Sequence, residues 1–490
     1  TDRPERVGTP LAPIPGAELQ GRACLRELVS SWRAAEGSED ACAAYPARPV
    51  GVKQAGAFLL APAHVPNLCV RPRPIGGDIF SGLYLRMMIR SSRFSRWFGV
   101  MLLAGALVAG GPLLAQQISG PPPTPAEFFG FPLGEDFASY HQVAEYARML
   151  ADVSPLASYS RYGESVEGRE LFHLVLASEA NHLRLGEILA ANAELTSQTT
   201  SPARADQIAR SNPAVVYFSY GVHGNESSST QSALWSAHDV ITNADEMRGV
   251  LDSLIIVIDP VANPDGRDRY VTWYRSVVGA APNPNPETRE HREPWPGGRS
   301  NHYMFDLNRD WAWMTQPETR ARISSWWEWN PQVHVDFHEM SPNSSYFFFP
   351  ASAPINPIYP EYILDWGARF GQQNSQTFDA RGWDYFTGEK YDMFYPGYGD
   401  SWPSLHGAIG MTYEQAGGGA AGLAYRRNDA EVLTLDHRIA QHRASGNTTL
   451  RTAAAGKTEL LLNFAEAHRT AGVGHPDVLI VPNGNPERVE

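Results

Sequence analysis

From residue 131 onward, short uninterrupted apolar runs alternate with longer amphipathic stretches. Residues 214–220, Ala-Val-Val-Tyr-Phe-Ser-Tyr, are an apolar run closed by Gly221, the pattern of a strand buried within a sheet. The runs at 171–176, 254–258, 333–337 and 408–413 read as further strands. Residues 136–152 place Phe137, Tyr140, Ala144, Ala147 and Leu150 near helical spacing. Another helix is expected after Thr315, where Thr315 and Glu318 fit a capping box and Pro317 suits a first turn. Strands alternating with helices predict an α/β fold: one large domain with a central mixed, mostly parallel twisted sheet flanked by helices. The Gly/Pro/Asn-rich stretch 278–301 reads as a long loop, a kind that often carries function.

Upstream, the pattern changes character. Residues 1–86 show no regular apolar periodicity and contain no methionine; Met87 and Met88 come first. Arg90, Arg93 and Arg96 are followed by an apolar stretch from Phe98 to Ala109 and then by Leu-Leu-Ala115, the order of a secretory signal peptide. The expected organisation is upstream mistranslation or a disordered extension over 1–86, a signal peptide over 87–115 and a linker over 116–130. A catalytic domain over 131–475 and a tail or further segment over 476–490 follow. An exported protein, secreted or periplasmic, is expected. The short space between Ala115 and the domain start leaves no room for a folded inhibitory propeptide, so activity without zymogen cleavage is expected.

Composition narrows the function classes. Of 490 residues, 43% are hydrophobic and 19% charged, as in an ordinary globular protein, and the net charge of −13 without a basic block argues against nucleic acid as a partner. The cysteines, Cys24, Cys42 and Cys69, all precede the signal-like segment, so the main body has no thiol nucleophile or thiolate ligand.

Candidate chemistry begins after the run at 214–220, in Gly221-Val-His223-Gly-Asn-Glu226. A His and a Glu three apart, just past a strand end, can face one point, and an imidazole with a carboxylate suits Zn²⁺. A third ligand is expected from Val333-His-Val-Asp-Phe-His338, in which His334, Asp336 and His338 share one strand face. His338, at the strand terminus, is the choice; His334 is read as a packed or supporting histidine and Asp336 as a carboxylate that orients a ligand.

Several ordered motifs join this one: Gly163-Glu-Ser-Val-Glu-Gly168-Arg, Asn263-Pro-Asp-Gly266, Asp306-Leu-Asn308-Arg309-Asp-Trp311 and Thr412-Tyr-Glu414. Together, from about Phe131 to Gln415, the text resembles the zinc carboxypeptidases of the carboxypeptidase A type. The resemblance implies one zinc per chain on His223, Glu226 and His338. It also implies Glu414 as general base toward a zinc-activated water, and Asn308 with Arg309 gripping the terminal carboxylate of a peptide. It further implies an oxyanion-stabilising arginine after the Asn-Pro-Asp-Gly motif, assigned to Arg275 ahead of Arg267 and Arg269. A capping tyrosine is assigned to Tyr395 ahead of Tyr398 and Tyr391. The implied activity is hydrolysis of the C-terminal peptide bond of peptides or proteins. A zinc amidohydrolase acting on cell-wall peptides or N-acyl amino acids is the alternative on the same fold, and an inactive binding protein the alternative from another class. The segment before Trp402 is shorter than in the digestive enzymes, so side-chain specificity does not carry over.

Overall fold

The computed structural model describes residues 120–471. Each apolar run becomes a strand. The main sheet contains β1 (Ala157–Glu164), β2 (Glu170–Leu176), β3 (Ala214–Tyr220), β4 (Leu254–Asp259), β5 (Val333–Met340), β6 (Tyr346–Phe347), β8 (Tyr385–Phe386) and β10 (Ile409–Ala416), in the order β1-β2-β4-β3-β5-β10-β6-β8. The central strands β4, β3, β5 and β10 are parallel, while β1, β2 and β6 add antiparallel pairings. Two small ribbons complete the strands: β7 (Ser352–Ile355) with β9 (Asp392–Met393), and β11 (Ala424–Arg426) with β12 (Val432–Thr434).

The central runs lack alternation because both faces of the sheet are covered. Val216, Phe218 and Tyr220 of β3 enter one hydrophobic cluster with Ile256 and Ile258 of β4. Val215 and Tyr217 enter a second cluster, on the opposite face, with Ile255 and Val257. In β5 the same period of two puts Val333, Val335 and Phe337 in the first cluster and leaves His334, Asp336 and His338 for the other face. The helices lie on both sides, and among the described residues none is long and apolar enough to cross a membrane.

Several expectations shift. The helix foreseen at 136–152 spans Tyr140–Val153, and β5 and β10 run on to Met340 and Ala416, so Glu414 lies inside its strand. Pro317 does open the helix Pro317–Trp329, but no capping box forms there. Asp310 takes over instead, accepting from Thr315 N at 2.9 Å and Gln316 N at 2.9 Å, while Glu318 accepts from Val166 N at 3.0 Å. Within the expected linker, Pro125–Phe129 forms a short helix with Thr124 as its cap, packed on Tyr146. The upstream extension, the signal-like segment, the three cysteines and the tail at 476–490 lie outside the described residues.

At the end of β4, buried Asp259 accepts a hydrogen bond from Tyr162 Oη at 2.7 Å. Burial pushes its carboxyl up to about 7, against the pull of that hydrogen bond and of Arg322. The folded state therefore holds this proton through a range where the unfolded chain has released it, and Asp259 lowers stability progressively from about pH 4 to pH 7. Asp259→Asn should gain stability relative to the native chain between pH 5 and pH 8, measured by urea unfolding at both values. Parallel pH dependences in the two proteins would contradict this.

Candidate metal centre

Three side chains converge at the carboxyl ends of the parallel strands. His223 follows β3, Glu226 sits at the N-cap of the helix Ser227–Thr242, and His338 lies near the end of β5. Gly224 is required between the first two: a Cβ there would collide with the backbone of Gly266 and Arg267. His223 Nδ1 lies 2.7 Å from Glu226 Oε1, and His338 Nδ1 lies 2.8 Å from Glu226 Oε2. All three residues are buried, and their ligand atoms fall within 4.8 Å of one another.

The far sides of both rings meet carboxylates. His223 Nε2 is 2.8 Å from Asp306 Oδ1 and His338 Nε2 is 2.7 Å from Asp336 Oδ2. Carboxylates there hold protons on the Nε2 atoms and leave both Nδ1 lone pairs aimed at Glu226. Lone pairs facing carboxylate oxygens at such distances call for a cation or a proton between them. This donor set, two imidazoles and a carboxylate with supporting acids behind, therefore fits a Zn²⁺ ion. The electrostatics agree. Burial disfavours a charge on His338, yet Asp336 and Glu226 raise its pKa well above the ordinary value. Burial opposes the charge on Glu226 as well, and the two histidines still hold its carboxyl well below the usual range.

Glu414 is the neighbour of His338 in the β5–β10 register. It is buried and its Oε2 has no hydrogen-bond partner. Burial pushes this carboxyl up to about 8, against the opposing pull of His338 and with added repulsion from Glu226.

The cleft arginines are arranged differently from the sequence expectation. Arg275, at the last turn of the helix Pro264–Val277, is held by Asp136 at 2.8 Å and by the Phe137 carbonyl, and makes no polar contact with the histidine–glutamate group. Arg267 is wholly buried against the carbonyls of Ala138 and Ser227, and Arg269 grips the carbonyls of Gly297 and Ser300. The guanidinium at the centre belongs to Arg299. Its Nη1 lies 3.2 Å from both Glu226 Oε1 and His223 Nδ1, and its Nε and Nη2 donate to Asp306 Oδ2 at 3.2 and 2.9 Å.

The Asn-Pro-Asp-Gly motif delivers that arginine. Asn263 caps its own helix by accepting from Gly266 N at 2.9 Å and donates through Nδ2 to the Arg299 carbonyl at 3.2 Å. Gly266 and Gly298 lie back to back, each leaving no room for a side chain on the other. Asp265 accepts from Ser165 Oγ, Glu167 N and Arg169 Nη1, joining the Gly163–Arg169 motif to the same corner. The available signal for Arg299 was its place in the long loop at 278–301, beside a Gly-Gly pair.

Arg309 is half-exposed, stacks over Tyr398 at 4.7 Å and lies 3.9 Å from Asp306. Asn308 is turned inward: its Oδ1 accepts from Gly399 N at 2.8 Å and its Nδ2 lies 3.1 Å from His338 Nε2. The Tyr395 hydroxyl is committed to the Arg309 carbonyl and to Trp313 Nε1, and makes no polar contact with the histidine–glutamate group. Tyr391 packs on Phe347 at 4.6 Å, the residue that pairs with Glu414 in the sheet. Burial raises the pKa of the Tyr391 hydroxyl, as do the charges of Glu414 and Glu226. His334 packs against Tyr217 and accepts from Trp326 Nε1 at 3.3 Å, and burial lowers its pKa to about 3, which keeps it neutral.

Residues 143–401, more than half of the chain, match the family model described as zinc carboxypeptidase. The chain belongs to the zinc carboxypeptidase family. It is thereby an enzyme of the metallocarboxypeptidase class, and the family acts on peptide C-termini. Similar solved structures include a metallo-carboxypeptidase from Burkholderia cenocepacia, 16% identical over 65% of this chain and 70% of that one, with a TM-score of 0.45. Carboxypeptidase A from Helicoverpa armigera is 18% identical over 70% and 79% respectively, with a TM-score of 0.46. A metallo-carboxypeptidase from Pseudomonas aeruginosa, in complex with (2-guanidinoethylmercapto)succinic acid, is 15% identical over 66% and 70%, with a TM-score of 0.43. Glu414 lies beyond the matched residues of the family model.

Proposed function

We propose that this zinc carboxypeptidase family member releases C-terminal residues from peptides or proteins with one zinc ion held by His223, Glu226 and His338. The observation that carries this reading is the facing of two imidazole Nδ1 atoms onto the two oxygens of one buried carboxylate, with Glu414 beside them. A zinc ion bound there would polarise the scissile carbonyl and lower the pKa of water. With the charge of a zinc ion nearby favouring its ionised form, Glu414 is the general base: its unpartnered Oε2 accepts the proton of the attacking water and returns it to the leaving amine. Arg299, in place of Arg275, donates to the oxygen on which negative charge develops.

Arg309 binds the terminal carboxylate through its half-exposed guanidinium, whose Nη1 also donates to the Asn308 carbonyl at 2.8 Å. Asn308, whose Oδ1 accepts from Gly399 N, acts by positioning that glycine, which packs against Asp336. Tyr391, in place of Tyr395, is the tyrosine that closes on the substrate from the Glu414 side. Export rests on the signal-like pattern at 87–115, and sequencing the exported chain should find its start near residue 116.

A peptide library incubated with the purified chain, with and without a chelator, tests the activity by mass spectrometry. Loss of single residues from the C-terminus, abolished by chelation, is the expected result. Chelation-insensitive release would sink it, and release only from N-acyl amino acids or cell-wall peptides would favour the amidohydrolase. Arg309→Met should raise KM for free-acid peptides by about 10- to 100-fold, the worth of one or two hydrogen bonds to a charge. C-terminally amidated peptides should not distinguish the variant from the native enzyme. Arg309→Lys should recover only part of the loss, because lysine lacks the planar fork.

A further inference from the structure

Glu226 is the N-cap residue of the helix Ser227–Thr242, yet its side chain makes no capping hydrogen bond, being turned onto the two histidines. The orphan amides of that first turn need another acceptor. Glu339, the residue after His338, supplies it from β5. Its carboxylate accepts from Ser228 N at 2.8 Å, from Ser228 Oγ, and from Gly418 N at 3.0 Å. Its own backbone N–H donates to Glu226 Oε2 at 2.9 Å, the same oxygen that faces His338 Nδ1. One residue thus fixes both the helix turn that carries Glu226 and the carboxylate oxygen of Glu226.

Behind Glu339 stands Arg438, on the helix Leu435–Ala455, with Nη1 at 3.0 and 3.2 Å from the two carboxylate oxygens and Nη2 on the Gly422 carbonyl. Both side chains are 0% exposed. A Cβ at Gly417 would collide with the Glu339 carboxylate and crowd the Arg438 guanidinium, so the turn after β10 is shaped around the pair. A buried ion pair is a poor way to gain stability, since well-packed apolar residues of similar volume serve as well or better. Its use is better sought in what it orients.

Resting on the reading of Glu226 as a zinc ligand, we infer that Glu339 and Arg438 are a positioning pair that sets the Glu226 carboxylate for zinc. The helix carrying Arg438 lies outside the residues that match the family model, so the metal centre is completed from beyond that match.

The test uses the full chain and the variants Glu339→Gln, Arg438→Met and the two combined. Arg438→Met alone strands a buried carboxylate and is the variant most exposed to misfolding; the double variant removes both charges together. Zinc affinity by chelator competition, the visible spectrum of the Co²⁺-loaded protein and melting of the metal-free protein are measured on each. The double variant is expected to melt near the native metal-free temperature, to bind zinc about 10- to 100-fold more weakly, and to give an altered cobalt spectrum. Native zinc affinity and an unchanged cobalt spectrum in a folded variant would overturn the inference. So would failure of all three variants to fold, which would make the pair an element of the fold alone. A native chain that takes up neither zinc nor cobalt would overturn the zinc reading itself, and the inference with it.

Discussion

Glu414→Gln should lower kcat for C-terminal release by about 10²- to 10⁴-fold, the range a positioned general base contributes, with zinc affinity close to native. Glutamine keeps the shape of the side chain and removes the atom that accepts the proton. The same substitution should not destabilise the protein. Glu414 Oε2 has no partner, and burial raises its carboxyl to about 8, so this group costs stability as pH rises from its unfolded value near 4 toward 8. The metal-free Gln variant should therefore gain on metal-free native protein across that interval. Activity and stability move in opposite directions at one residue. Steady-state kinetics with urea unfolding at pH 5 and pH 8 reads both, and a Gln variant with native kcat would remove Glu414 from the mechanism.

His338→Ala should have the largest effect on the metal. It removes one of the three proposed ligands, and the loss should exceed the roughly 10- to 100-fold that loss of a supporting group costs. It should also destabilise the metal-free protein by about 3–5 kcal/mol, because Glu226 and Asp336 would be left buried without the imidazolium between them. His334→Gln is the control on the same strand face. His334 is neutral and packed between aromatic rings, so that variant should still bind one zinc per chain. Zinc stoichiometry after dialysis distinguishes the two, and a zinc-free His334→Gln beside a zinc-loaded His338→Ala would reverse the assignment.

Much of the fold was legible because the core strands are covered on both faces. Five apolar runs gave β2, β3, β4, β5 and β10 with bounds within a few residues. β1 was missed because an edge strand of Ser, Tyr and Arg, half in solvent, does not read as apolar, and β6 to β9 are too short to leave a period. The ligand candidates were legible because each sits at or just past a strand end. Distance along the chain from Asn263 points to Arg275, whereas Asn263 acts across space, on the Arg299 carbonyl. Order within the loop points to Tyr395, but loop order does not say which ring turns inward. The pairing of Glu339 with Arg438, 99 residues apart, has no local signature at all.

The back-to-back glycines 266 and 298, with Arg269 gripping the carbonyls on either side of Arg299, leave the backbone of that loop nowhere to travel. Any motion that brings Arg299 to a bound peptide is then a rotation of its side chain, away from Asp306, and not the swing of a lid. An arginine mounted this way is a fixed fitting: the reach of its own side chain can change, but the course of the loop that carries it cannot.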